Sequence, residues 1–138
     1  MLRGYTGAMP APLLRLLLGC TAATSPHDSP AGPLVLAAGS VAGTYDVSAV
    51  FDPAPTVGPQ SLALAITEDA EPVAGATVTV LPWMPAHDHG VSDASDVRGT
   101  DGIYTVTWTW PMSGAWDVTV TVDADEGVDS VVLRVDVE

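Results

Sequence analysis

Lysine is absent from this chain, and cysteine occurs once, at Cys20. A single cysteine excludes an intrachain disulfide and a cysteine-based zinc site. Four arginines face 17 acidic residues, for a formal net charge of −13. Such a surface repels phosphate backbones, and no basic stripe offsets it, so nucleic acid is excluded as a partner. It attracts cations. The strong helix formers Lys, Gln and Glu are scarce. Val, Thr, Ala and Gly dominate instead, which favours an all-β domain. No apolar run approaches the roughly 20 residues of a membrane-spanning helix. No glycine loop of phosphate-binding type precedes a helix, and no nucleophile elbow accompanies Ser92 or Ser95. The chain reads as a non-enzyme.

What is present begins with a leader. Arg3 precedes a short apolar run from Leu13 to Leu18, interrupted by Arg15. The run has the size of a secretory h-region. It ends in Leu17-Leu18-Gly19-Cys20, which resembles the bacterial lipobox. That resemblance implies a signal peptide over residues 1–19, cleavage before Cys20 and acylation of its thiol. The product would be a lipoprotein, exported to the cell envelope and anchored to the membrane. Residues 20–42 are rich in Ser, Pro, Gly and Ala and read as a flexible tether. His27 lies in it, and Leu34-Val35-Leu36 is either an edge strand or part of the linker.

From Gly43 the hydrophobic period becomes two. Tyr45, Val47, Ala49 and Phe51 alternate with polar or small residues, as do Leu62, Leu64 and Ile66. The pattern recurs at Val78 and Val80, from Tyr104 to Trp110, from Trp116 to Val122 and from Val131 to Val137. Each stretch reads as a half-buried strand. Turn signals separate them at Pro53-Ala54-Pro55, Glu71-Pro72, Asp101-Gly102, Ser113-Gly114 and Glu126-Gly127. Six or seven short strands predict an antiparallel, immunoglobulin-like β-sandwich over residues 43–138. Trp108, Trp110 and Trp116 should dominate its core. The acidic stretch Asp123–Asp129 fails the calcium-loop pattern, with Gly127 one position early, and reads as a hairpin turn.

Between two strands lies Pro82-Trp83-Met84-Pro85-Ala86-His87-Asp88-His89-Gly90. It holds two of the three histidines. Thioether and imidazole donors in a proline-stiffened loop form a metal-site signature, with copper before zinc. An extended backbone would project His87 and His89 to one side and Asp88 to the other. Met112 joins them only if the chain reverses twice between Leu81 and Tyr104, once in this loop and once at Gly99–Gly102. Val91–Arg98 as a descending strand would achieve this. A plain loop there would leave Met112 about 20 Å away, by strand length.

The motifs Glu71–Val80, Met84-Pro85 with His87-Asp88-His89-Gly90, Gly102-Ile103-Tyr104 and Trp110-Pro111-Met112-Ser113-Gly114-Ala115-Trp116-Asp117-Val118 resemble the YtkA-like domain, a relative of FixH-type proteins. The resemblance implies an immunoglobulin-like sandwich in a secreted or membrane-tethered bacterial protein. It also implies an association with copper handling and cytochrome oxidase assembly. Asp88 departs from the family, which often has a small residue there, and it adds a hard oxygen. The expected metal ligands are Met84, His87, His89 and Met112, holding copper and by preference copper(I). Asp88, Trp83 and Trp110 would stand around them. The expected partners are the membrane, through the lipid anchor, and an envelope protein in copper handling. The competing expectation is a structural or protein-interaction module of the envelope without metal.

Overall fold

A computed structural model describes residues 32–92, 94 and 97–138. The expected signal peptide, Cys20 and His27 lie outside the described residues. Ten β-strands and no helix occur among the described residues. They are β1 (Leu34–Gly39), β2 (Asp46–Asp52), β3 (Gly58–Glu68), β4 (Glu71–Pro72), β5 (Thr77–Met84), β6 (His89–Gly90), β7 (Arg98–Thr100), β8 (Ile103–Trp110), β9 (Gly114–Ala124) and β10 (Gly127–Val137).

The strands form two antiparallel sheets. One has the order β1-β2-β3-β8-β7, with β4 also on β3, and the other has the order β10-β9-β5-β6. In immunoglobulin terms, β2, β3, β8 and β7 occupy the places of strands A, B, E and D. The strands β10, β9, β5 and β6 occupy those of G, F, C and C′. The expected sandwich is therefore present, with β1 added outside β2. That addition settles Leu34-Val35-Leu36 as an edge strand. The ordered sheet begins at Leu34, inside the span read as tether, because Leu34 and Leu36 pack their inward faces on the core.

Alternation fixes which residues meet between the sheets. Phe51, Leu62, Leu64, Ile66, Trp110, Trp116, Val118 and Val120 are fully buried. The expected tryptophan core is observed as a ladder of rings. Trp108 and Trp110 lie 5.1 Å apart in a T-shaped pair, and Trp110 and Trp116 are also 5.1 Å apart. The Trp110 indole N–H donates to Gln60 Oε1 at 2.9 Å, so this ring is buried without an orphaned donor. Turns close the edges. Asp101 and Gly102 have φ of 54° and 84°, the pattern of a type I′ hairpin joining β7 to β8. Glu71-Pro72, expected as a turn, is instead the strand β4, and Asp69-Ala70 make the turn before it.

The acidic stretch behaves as a hairpin: Asp125 and Glu126 turn between the paired residues Ala124 and Gly127. Asp129 is buried. It accepts hydrogen bonds from Ser40 Oγ at 2.6 Å and from the amides of Ala42, Thr44 and Ser130. These donors, the Ser40 hydroxyl first, hold its carboxyl well below the usual range against the opposing effect of burial. The β1–β2 connection is thereby tied to β10.

Val91–Arg98 is not a continuous strand. The chain pairs briefly with β5 as β6, donates from Val91 N to Pro82 O at 3.0 Å, and then changes sheets to pair with β8 as β7. The polar run Ser92-Asp93-Ala94-Ser95-Asp96 lacks the β-branched alternation that a half-buried strand requires. The descent is still made. β6 lies beside the end of β5, whereas β7 lies beside the start of β8. β8 then climbs back, and Met112 arrives at the same end of the sandwich as Met84.

Candidate functional site

The site is built on the last rung of the second sheet. Met84 ends β5 and pairs in register with His89, which begins β6. Register partners share a sheet face, so the thioether and the imidazole are cross-strand neighbours. Both sit on the inner face: Met84 is 3% exposed and His89 half-buried. The neighbouring strand β9 supplies Trp116, next to Asp117, which pairs with Trp83. The His89 ring meets the Trp116 ring edge-on, with centroids 5.4 Å apart and planes at 88°.

Pro85, Ala86, His87 and Asp88 form a tight turn between β5 and β6. His87 N donates to Met84 O at 3.2 Å, and Asp88 takes φ of 54°. The expected extended backbone is therefore absent here, because a two-residue strand must reverse directly onto β5. His87 still comes close to His89, with ring centroids 6.3 Å apart. The His87 side chain is exposed.

Met112 lies in the connection between β8 and β9. Its carbonyl accepts from Trp116 Nε1 at 3.2 Å, and the residue is 36% exposed. Gly114 follows with φ of 131°, where a side chain is strained. A Cβ at Gly114 would collide with the Met84 methyl, so the absence of a side chain there gives Met84 its seat.

All four expected ligands are thus gathered at one end of the sandwich. Met84 and His89 pair directly, His87 stands beside His89, and Met112 is tied through its backbone to the ring that His89 touches. The surrounding residues are placed differently from expectation. Trp83 lies on the outer face of its sheet, opposite Met84, and its ring packs over Gly90, where a Cβ would sit 2.7 Å from Cε3. It does not flank the inner pair. Trp110 is one ring further in, touching Trp116 and bonded to Gln60. Asp88 is exposed on the turn. Trp116 and Gly114 were not expected as site residues. Their signal was the Met112-x-Gly114-x-Trp116 spacing, which puts a methionine carbonyl just before β9 and a bare α-carbon and a ring at its start.

Among the described residues no three His, Cys, Asp or Glu side chains are grouped to hold a metal. The available set is two imidazoles and two thioethers, which fits a soft cation. At the other end of the sandwich, burial first, then Glu126 and Asp69, push the Glu68 carboxyl above its usual range.

Fold and strand order define an immunoglobulin-like β-sandwich with a Met/His cluster at one end. The chain belongs to the YtkA-like family, whose model matches residues 40–121. The match includes every residue of the cluster and stops within β9. No curated protein and no solved structure matches the chain significantly.

Proposed function

We propose that this is a lipid-anchored domain of the bacterial cell envelope that binds and passes copper, as copper(I), through Met84, His87, His89 and Met112. The observation that carries the reading is the Met84–His89 register pair, set on an inner face at the same end as His87 and Met112. Nothing in that arrangement needs an acidic ligand, and thioethers select copper(I) over zinc. The leader motif ending in Cys20 supports export and anchoring, and a Cys20→Ser chain would lose acylation and membrane retention. The proposed role is binding rather than catalysis. The expected partner is an envelope protein that delivers or receives the metal.

Copper(I) competition titration tests the reading. The wild-type domain should bind one equivalent, and His87→Ala with Met112→Ala should weaken it by about ten-fold or more, 1.4 kcal/mol. Equal, weak affinity in both proteins would assign copper to the acidic surface and remove the site. One observation favours the rival reading, an envelope module without metal: Met84 belongs to the buried core cluster and seats its methyl over Gly114, as a plug would. Under that reading Met84→Leu leaves affinity unchanged.

A further inference from the structure

The four donors are not equivalent. Met84 is 3% exposed, locked into the β5–β6 ladder and seated over Gly114. His89 is its register partner and is braced by the Trp116 ring. These two side chains are held by the packing around them on the inner face. His87 and Met112 differ. His87 is exposed in a four-residue turn, beside the His89 ring. Met112 is 36% exposed in the β8–β9 connection, where its carbonyl accepts from Trp116 Nε1.

The geometry points to a divided ligand set, an inference that rests on the copper reading above. Met84 and His89 form a fixed inner pair. His87 and Met112 form an outer, solvent-exposed pair, and the metal leaves through them. This makes the end of the sandwich an exchange site rather than a store. The acceptor it fits is a soft-donor site, with thiolate or thioether groups able to replace the outer pair one at a time. Exchange of this kind is ligand substitution. The metal keeps its charge, each departing donor is replaced by one incoming donor, and a thiol acceptor releases its proton to water as it binds. The inner pair retains the cation until two acceptor donors are in place, so no free ion is released.

Silver(I), a soft monovalent cation without redox chemistry, is a suitable probe for the full domain labelled at the methionine methyls. One equivalent should shift both the Met84 and the Met112 methyl resonances. Met84→Leu and His89→Gln should abolish stoichiometric binding. Met112→Leu and His87→Gln should weaken binding less than either inner variant, while speeding transfer to glutathione by about ten-fold or more. Equal losses from all four variants, or a larger loss from the outer pair, overturn the division while leaving a metal site intact. Unshifted methyls in the wild type remove the copper reading itself, and the division with it. Should Met84→Leu unfold the domain, peroxide footprinting of the wild type gives the same information. Without metal, Met112 should convert to sulfoxide about ten-fold or more faster than Met84. One equivalent of silver(I) should slow that conversion. Equal oxidation of the two methionines, or an unchanged Met112 rate with silver(I) bound, overturns the division.

Discussion

Replacing Gly114 by alanine tests how the Met84 thioether is seated. Two costs are expected. The first is backbone strain at φ of 131°, about 1–3 kcal/mol for a residue with a side chain. The second is the collision between the new methyl and Met84 Cε. Met84 is flexible at its end, so its methyl shifts rather than the sheet, and the sulfur moves with it. Met84→Ala alone should cost about 2–5 kcal/mol, the usual range for emptying such a position. The two changes should not add. With Met84 truncated, the alanine at 114 meets a void and partly fills it, leaving only the strain. The double variant should therefore be more stable than the sum of the singles predicts, by about 1–2 kcal/mol, within the coupling range of contacting residues. Urea unfolding followed by tryptophan fluorescence measures this directly, since three buried indoles report on the core. At this size each kcal/mol lowers Tm by about 4 °C, a second readout. Additivity within about 0.5 kcal/mol would refute the proposed contact. A Gly114→Ala protein as stable as the wild type would refute the strain as well. Under the copper reading, Gly114→Ala also weakens copper(I) binding, because the thioether is displaced.

Tyr104→Phe should destabilise by about 1–3 kcal/mol, since the lost hydroxyl donates to Val73 O at 2.7 Å and accepts from Ala76 N at 2.9 Å. Thermal unfolding checks it, and an unchanged Tm would place water on those groups instead. Gln60→Leu should cost about 2–4 kcal/mol, because it orphans the Trp110 indole N–H and the Pro53 carbonyl together. In a Trp110→Phe background the same change should cost less, and a denaturant cycle measures the difference. Asp129→Asn should be less stable than the wild type at neutral pH. The folded carboxyl titrates below its unfolded value, so its contribution is complete above about pH 5 and is lost as pH falls through the carboxylate range. The gap between wild type and Asp129→Asn should narrow steadily on acidification, and a gap independent of pH would exclude an ionised Asp129. Arg134→Ala should change stability by less than about 1 kcal/mol, since its pair with Asp117 is solvent-exposed.

Much of the fold was legible because burial in a two-sheet sandwich writes itself into alternate positions. The runs Tyr45–Phe51, Tyr104–Trp110 and Trp116–Val122 became β2, β8 and β9 with their inward residues as expected. β1 was less legible because Leu34-Val35-Leu36 is followed by Ala and Gly, which give no period. Its pairing depends on a partner edge, β2, that local pattern does not reveal. The segment after Gly90 misled for a related reason. A change of sheet is a long-range event, and the short pieces β6 and β7 are stabilised by β5 and β8 rather than by their own sequence.

The candidate site divides in the same way. Residue chemistry alone determined that soft and borderline donors exist here, that a cysteine pair does not, and that the chain is strongly acidic. Alternation alone determined the sandwich. Only the tertiary structure decided that Met84 faces His89, that Trp83 faces away from both, and that Trp116 and Gly114 complete the end. A side chain's identity is local, but its neighbours are set by register and by how often the chain reverses. A one-residue shift in register would have sent Met84 to solvent and Trp83 to the core.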